Sequence, residues 1–99
     1  MNVAKLLQQA QKAQEQMQRA LSDLEVEGSA GGGLVRVRLN GLKEVKAVAI
    51  DTKALAGEEA NLVEDLVVAA WQEAARLLEE RSRELLARMG LPAGMPGLF

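Results

Sequence analysis

The 99-residue sequence contains no cysteine and no histidine. Without cysteine it can form neither a disulfide framework nor a thiolate site, and without histidine it lacks the side chain that most often acts as a general base. Both are also the usual ligands of zinc. Carboxylate pairs remain, but neighbouring positions on a helix diverge by about 100° and do not converge on one atom. We therefore expect no catalytic residue, no metal site, no cofactor and no enzyme activity. These carboxylate pairs are Glu58–Glu59, Glu64–Asp65 and Glu79–Glu80.

Aromatic residues and long apolar runs are also scarce. Trp71 and Phe99 are the two aromatic residues, too few for a platform on which the bases of a single strand would stack. No apolar run approaches the roughly 20 residues that span a bilayer, and the N-terminus lacks the apolar core of a secretion signal. We expect a soluble intracellular protein with no membrane partner and no small-molecule substrate. The formal net charge of −2 argues against a strongly basic nucleic-acid binder overall, but it does not exclude local basic patches.

A glycine-rich stretch, Gly28–Gly33, lies between two runs in which apolar and charged residues alternate. This alternation, in Leu24–Glu27 and in Leu34–Leu39, is typical of half-buried strands. A glycine-rich loop can also cradle a phosphate, but such a loop needs a helix directly after it, and here a strand pattern follows. The stretch therefore predicts a hairpin turn, with positive φ at one or more of residues 31–33.

A third strand and two flanking helices complete the predicted fold. Asn40-Gly41 is a second turn signal, before an apolar run at Val45–Ile50. Three strands with short connections predict an antiparallel meander, because parallel pairing would need a crossover. A helical pattern runs from about Val3 to Leu21, and a second runs from the glycine and acids at 57–59 to Met89. The predicted fold class is α+β, in the order α-β-β-β-α.

The end of the sequence differs in composition from the rest. Gly90 and Pro92 end the last helix. We predict a single domain at residues 1–90 and a flexible Pro/Gly-rich tail at residues 91–99.

The first helix carries an apolar seam and a basic strip on different faces. Lys5, Lys12 and Arg19 recur at seven-residue spacing and therefore share one face. Glutamines fill many other positions, and Glu15 is the only acid before Asp23. The strip suits a phosphate backbone, and a merely solvated helix face is the alternative. The seam follows alternating steps of three and four residues through Val3, Leu6, Ala10, Ala13, Met17, Ala20 and Leu24.

The last helix combines an apolar stripe with interleaved charges. Trp71 flanks the stripe, and we expect it to be buried rather than available for base stacking. Glu79–Arg83 and Glu84–Arg88 have the i,i+4 orientation that favours surface ion pairs. The expected buried stripe consists of Leu62, Val63, Leu66, Val67, Ala70, Ala74, Leu77 and Leu78, continued by Leu85 and Met89.

The lengths of these elements do not fit a compact monomer. A helix of about 30 residues is roughly 45 Å long, whereas a compact domain of this size is about 33 Å across. Strands of about six residues cover only roughly 20 Å. One small sheet therefore cannot cover both apolar stripes. We expect projecting helix ends, exposed apolar surface and a symmetric homodimer.

The run from Leu24 to Val35, with Glu-x-Glu-Gly-x-Ala-Gly-Gly-Gly at its centre, is rather specific. Together with the glutamine-rich first helix, Asn40-Gly41, Leu62–Ala74 and the Met-Pro-Gly of the tail, it resembles the YbaB/EbfC family of small bacterial nucleoid-associated DNA-binding proteins. The resemblance covers essentially the whole chain. It implies an α-β-β-β-α fold and a homodimer whose helices protrude like the arms of tweezers.

The resemblance also implies a function. A member of this family is expected to bind double-stranded DNA in the cytoplasm at the nucleoid, and to influence nucleoid organisation and gene expression. We expect low sequence specificity, because the cations on the first helix are spread along its length and cannot read base edges together. The alternative is a helical dimeric adaptor that docks protein partners. Since the resemblance transfers no list of DNA contacts, the candidates rest on charge, and the arginines are the weaker set because glutamates interleave with them. They are Lys5, Lys12 and Arg19 on the first helix and Arg76, Arg81, Arg83 and Arg88 on the last.

Overall fold

A computed structural model describes residues 2–90, which form two helices and a three-stranded sheet. The strands pair antiparallel in the order β1-β2-β3. The predicted α-β-β-β-α order and antiparallel meander are therefore confirmed. The tail prediction falls on residues 91–99, outside the described residues, and the single-domain division stays a prediction. The elements are α1 (Val3–Asp23), β1 (Glu25–Ala30), β2 (Val35–Asn40), β3 (Val45–Ile50) and α2 (Ala60–Arg88).

The turn between β1 and β2 consists of glycines in the left-handed region of backbone space. Gly31, Gly32 and Gly33 have φ values of 65°, 69° and 95°, which residues with a Cβ rarely adopt. The prediction of positive φ at this turn is confirmed. Because β2 begins at Val35, a strand follows the loop, as in a hairpin and unlike a phosphate-binding loop.

The core lies between α2 and the inner face of β1 and β2. Gly28 of β1 faces Ala70 and Ala74 of α2, and both alanines are fully buried. A Cβ at Gly28 would lie 2.2 Å from the Ala74 nitrogen and 2.3 Å from the Ala70 oxygen. Strand and helix backbones therefore touch at this point. The inner-face residues of β2 are at most 1% exposed: Val35, Val37 and Leu39.

The buried line of α2 differs in part from the predicted stripe. Its buried residues are four apart and follow the i±4 ridge of the helix surface, which is inclined to the helix axis. The predicted continuation through Leu85 and Met89 is wrong, because Leu85 is only half-buried and Met89 is 39% exposed. Leu62, near the start of the predicted stripe, is also exposed. The buried line runs through Ala70, Ala74, Leu78, Ser82 and Leu86.

The prediction that Trp71 is buried is also wrong. Its side chain is 47% exposed. The reason is the placement of α2, which packs on β1 and β2 and leaves β3 uncovered. The side of α2 that carries Trp71 therefore has no strand beneath it.

The turn between β2 and β3 is organised by the buried side chain of Asn40. Its Oδ1 accepts hydrogen bonds from the backbone N–H groups of Leu42 and Glu44, each at 3.0 Å. Its Nδ2 donates to the Glu44 carboxylate at 2.8 Å. The backbone N–H of Gly41 donates to the Leu21 carbonyl oxygen at 2.8 Å. This turn therefore holds the C-terminal end of α1 against the sheet.

The molecule is elongated, with extents of 69 × 19 × 18 Å and a radius of gyration of 18.1 Å. A compact chain of this length would have a radius of gyration of about 13 Å. Leu21 is the only buried residue of α1, so the helix projects from the body, and we call Val3–Asp23 the arm. Met89, at the end of α2, faces Ala13 and Met17 across a shallow recess. The predicted helix overhang is confirmed.

Candidate nucleic-acid interface

The arm presents its three basic residues to solvent. Lys5, Lys12 and Arg19 are all exposed, and none lies within 4.0 Å of a carboxylate in the described part of the chain. Each is seven residues from the next, which places successive charges about 10.5 Å apart along the axis. We call these three residues the basic strip. Asn2 caps the helix, since its Oδ1 accepts from the Lys5 backbone N–H at 3.3 Å.

The basic strip points away from the body of the protein. The side of the arm that faces the protein is marked by Met17 and Ala20, which are half-buried, and by Leu21, which is buried. Met17 and Ala20 belong to the predicted seam, which is centred roughly 130° around the helix from the basic strip at 100° per residue. The predicted separation of seam and strip is therefore present in the structure, and the strip can meet a large partner without a clash with α2.

The arginines of α2 divide into two groups. Arg76 forms ion pairs with Glu73 at 2.8 Å and with Glu80 at 3.0 Å. The hydrogen bond from Arg76, together with its charge, lowers the pKa of Glu73, and the same contact raises the pKa of Arg76. Arg83 pairs with Glu79, as the i,i+4 spacing predicts. Exposed ion pairs of this kind are weak, so Arg76 and Arg83 stay predicted contacts, for which a phosphate would compete with the carboxylates already in place.

The second group consists of Arg81 and Arg88. Both side chains are exposed, and neither forms an ion pair within 4.0 Å among residues 2–90. The predicted Glu84–Arg88 pair is thus not found. Arg88 lies one residue before Met89, which faces the arm, so these two arginines stay candidates that could support the basic strip.

One acidic segment lies at the end of the molecule that is remote from the arm. Residues 51–65 carry five carboxylates and one lysine. This segment adjoins the β1–β2 hairpin, because the Asp51 N–H donates to the Leu34 carbonyl at 2.8 Å and Leu66 lies beside Gly31. Elsewhere the chain has eleven basic and nine acidic residues. Since charges are screened over about 8 Å at physiological ionic strength, a molecule 69 Å long can be acidic overall and basic at the arm.

An apolar surface remains open beside α2. Val45, Val48 and Ile50 of β3 are 54%, 48% and 39% exposed, although their register with β2 places them on the same face as the core. Next to them a groove of about 410 Å³ separates α2 from the β2–β3 turn. Ser82 lines this groove, and its buried Oγ has no hydrogen-bond partner in the described residues. The groove is lined by Leu39, Lys43, Trp71, Ala75, Leu78, Glu79, Ser82 and Arg83.

Among residues 2–90, no three side chains of aspartate, glutamate, histidine or cysteine come together as a metal site. Neither α1 nor α2 has the length and apolar character of a membrane-spanning helix. The basic strip and the open apolar surface beside α2 are two exposed features of the described structure.

Comparison with known proteins agrees with the fold and identifies the family. The model of the YbaB/EbfC DNA-binding family matches residues 1–94. The chain belongs to this family. Its resemblance to YbaB/EbfC proteins, inferred from the hairpin motif, is thus confirmed.

Two named relatives and one solved structure match this YbaB/EbfC chain over nearly its whole length. A nucleoid-associated protein of Xanthomonas campestris is 48% identical over 101 residues, which cover 95% of this chain and 93% of the relative. A nucleoid-associated protein of Xylella fastidiosa is 45% identical, covering 99% of this chain and 92% of the relative. The crystal structure of the uncharacterized protein HP0035 from Helicobacter pylori superposes with a TM-score of 0.69 at 26% identity, covering 90% of this chain and 97% of that one.

For this YbaB/EbfC chain, charge and spacing alone did not find every relevant feature. The pairing of Arg76 with Glu73 and Glu80 was missed, although i,i+3 and i,i+4 spacing is the signal that could have revealed it. The groove beside Trp71 was also missed, since its existence depends on which strands α2 covers. The basic strip, in contrast, follows from seven-residue spacing alone.

Proposed function

We propose that this chain is a homodimeric, nucleoid-associated protein that binds double-stranded DNA with low sequence specificity through its arm. The observation that carries the proposal is the basic strip, which is exposed, free of ion pairs among residues 2–90 and remote from the acidic segment at 51–65. Membership of a DNA-binding family supports it. So do the nucleoid-associated relatives in Xanthomonas and Xylella.

Low specificity follows from the way in which the cations are spread. Each of Lys5, Lys12 and Arg19 is about 10.5 Å from the next, and the strip turns by about 40° over its length. Side chains that read a base pair must converge on one base edge in a groove, whereas these can each neutralise a separate phosphate. Contacts with phosphates fix position and supply affinity but carry no sequence information. A protein of this kind binds at many positions, which suits a role in nucleoid organisation with effects on gene expression.

The dimer is supported by the apolar surface that the single chain leaves open. A second copy placed on β3 and on the groove beside α2 would cover Val48, Ile50 and Trp71, which are each at least 39% exposed. Two arms then bring six cations of the basic strips to one duplex. This doubling matters, because three phosphate contacts alone give weak, salt-sensitive binding.

The adaptor alternative is favoured by the same open apolar surface, which could accept a protein partner instead of a second copy. Salt dependence separates the two functions. Binding to phosphates releases counterions and therefore weakens steeply as salt concentration rises. Docking of apolar surfaces does not weaken in this way.

The deciding experiment measures the binding constant K on two duplexes of unrelated sequence at 50 and 200 mM salt. For wild type we expect similar affinity for both duplexes. Replacing Lys5, Lys12 and Arg19 together by Ala should lower the magnitude of the slope of log K against log salt by up to about 2.7 per protomer, at about 0.9 per phosphate. Over this fourfold salt range, the wild-type binding constant would then fall up to about 40-fold more than that of the variant for each arm that contacts the duplex.

A matched control separates the basic strip from net charge. The variant Arg36→Ala, Arg38→Ala, Lys53→Ala removes the same charge from exposed positions outside the arm, and we expect it to keep the wild-type slope within about 1. Both variants must keep wild-type helicity and assembly state. An arm variant with an unchanged slope would contradict the proposal, and loss of binding to one duplex alone would show that the arm reads bases.

A further inference from the structure

The interval between Lys5 and Lys12 on the arm carries two side-chain amides. Gln8 and Gln9 follow Lys5 by three and four residues and precede Lys12 by four and three, so all four side chains share one face of α1. At 100° per residue, the two glutamines lie about 50° on either side of the line that joins the lysines. Both are exposed, and neither amide forms a hydrogen bond with another group of residues 2–90. We call these four residues the distal quartet.

The other half of the basic strip repeats this spacing but not this chemistry. Between Lys12 and Arg19, the corresponding positions hold Glu15 and Gln16. The carboxylate of Glu15 repels a phosphate, and Gln16 borders the recess that Met89 shares with the arm. The distal quartet contains no negative charge, and each of its four side chains carries N–H donors. The arm therefore presents a face made of donors only between Lys5 and Lys12.

Two lysines at this distance leave part of a phosphate backbone without a partner. One strand of B-DNA has a phosphate about every 3.4 Å along the duplex axis, whereas Lys5 and Lys12 are about 10.5 Å apart along the arm. Where the arm follows a strand, about one phosphate or more lies between those that the lysines neutralise. Gln8 and Gln9 are about 4.5 and 6 Å along the axis from Lys5, which places their amides beside this interval. Each amide has two N–H groups to donate, and phosphate oxygens accept hydrogen bonds from glutamine.

We propose that Gln8 and Gln9 donate hydrogen bonds to DNA phosphates that lie between those neutralised by Lys5 and Lys12. This inference rests on the proposed function and deepens it, since it assigns neutral contacts to the same arm. The two kinds of contact respond differently to salt. A cation that meets a phosphate releases counterions, whereas a neutral amide adds affinity without changing the number of ions released. The affinity supplied by Gln8 and Gln9 therefore persists as salt concentration rises.

The first test replaces both amides by alanine in the full chain. Gln8→Ala, Gln9→Ala keeps the net charge and favours the helix, because alanine has the highest helix propensity. We expect the binding constant K to fall about tenfold for each arm that contacts the duplex, at about threefold per hydrogen bond. The loss should be the same at 50 and 200 mM salt, and the slope of log K against log salt should stay within about 0.5 of wild type.

The matched control is Gln11→Ala, Gln18→Ala. Both positions are exposed and lie about 110° and 130° around the helix from the line that joins Lys5 and Lys12. The control thus removes two amides from other faces of the arm, and we expect it to bind as wild type. Equal losses in the two variants overturn the inference, as does wild-type binding by Gln8→Ala, Gln9→Ala. A loss on only one of two unrelated duplexes also overturns it, because that result assigns the amides to base edges.

Failure of this inference can be told apart from failure of the proposed function. If the variant of Lys5, Lys12 and Arg19 keeps the wild-type salt slope, the arm does not bind phosphates and both proposals fall. If that variant loses slope while Gln8→Ala, Gln9→Ala keeps the wild-type K, the function stands and the amide contacts alone are wrong.

The second test observes the amides in the wild-type chain by NMR, so it does not depend on the folding of a variant under test. The side-chain N–H signals of Gln8 and Gln9, assigned by their absence from the alanine variant, should shift when a short duplex is added. The signals of Gln11 and Gln18 should stay in place. Equal shifts of all four amides, or no shift of Gln8 and Gln9 under conditions in which the duplex is bound, overturn the inference.

Discussion

Gly28 is a position at which the fold tolerates little change. In the substitution Gly28→Ala, the new Cβ would lie 2.2 Å from the Ala74 nitrogen, 2.3 Å from the Ala70 oxygen and 2.7 Å from the Ala74 Cα. All three atoms belong to the backbone of α2, so no side-chain rotation can relieve the overlap. The helix must withdraw from β1 by about 1 Å to restore ordinary contacts, and interiors packed like crystals transmit such a shift.

The cost of this shift can be estimated from the packing it disturbs. Overpacking a core costs about 1–3 kcal/mol, with the larger values where the backbone has to move. Because α2 forms one wall of the core, its withdrawal also loosens contacts with Val35, Val37 and Leu39. We expect a loss of at least about 3 kcal/mol, a large share of the total stability of a domain of this size. At 4–8 °C per kcal/mol, the melting temperature should fall by about 15 °C or more.

Thermal unfolding followed by circular dichroism, at one fixed protomer concentration, measures this change. Gly32→Ala is the matched control, because Gly32 has φ 69° but no atom within 4 Å of an added Cβ. Backbone strain alone should cost it about 1 kcal/mol, or roughly 5 °C. If Gly28→Ala melts within about 5 °C of wild type, or is affected less than Gly32→Ala, the direct contact of strand and helix backbones is refuted.

Three further predictions concern the turn, the assembly and the surface charges. Asn40→Ala should lower stability by about 2 kcal/mol, measured by urea unfolding, because it removes the acceptor of two backbone N–H groups; an unchanged midpoint would contradict this. Val48→Asp should leave helicity intact but shift sedimentation towards monomer, since it charges the open face of β3, and a persistent dimer would place the interface elsewhere. Arg76→Gln should raise the pKa of Glu73 in an NMR titration, because it removes the hydrogen bond and the charge that lower this pKa. Because the ion pair lowers the pKa of Glu73 in the folded state, its contribution to stability is present above pH 4.5 and is lost as pH falls through the pKa of the folded state. The free energies of unfolding of wild type and variant should therefore converge in acid.

Much of the fold could be predicted from sequence because its signals are local. Alternation of apolar and charged residues marks β1 and β2, and the glycines between them specify the turn through their backbone freedom alone. Short connections then leave the antiparallel meander as the simple topology. The ends of α1 and α2 were predicted to within three residues, since caps and breakers lie close to them.

The errors concern contacts between elements. Whether Trp71 is buried depends on which strands α2 covers, and no local pattern contains that information. The same holds for Ser82 and Leu86, which are buried because the contact line is inclined to the helix axis. At the candidate site, spacing predicted the basic strip, but the choice of Glu73 and Glu80 as partners of Arg76 depends on side-chain conformations.

Because α1 is attached to the body near its C-terminal end, a rotation at the attachment moves the far end of the arm most. Leu21 is its one buried residue, and it lies about 3 Å along the axis from Arg19, about 13 Å from Lys12 and about 24 Å from Lys5. A swing of about 10° at the attachment would displace the level of Lys5 by about 4 Å and that of Arg19 by only about 0.5 Å. In the proposed complex, the charge nearest the pivot would set where the duplex is held, while the outermost charge would follow phosphates whose positions change as the duplex curves.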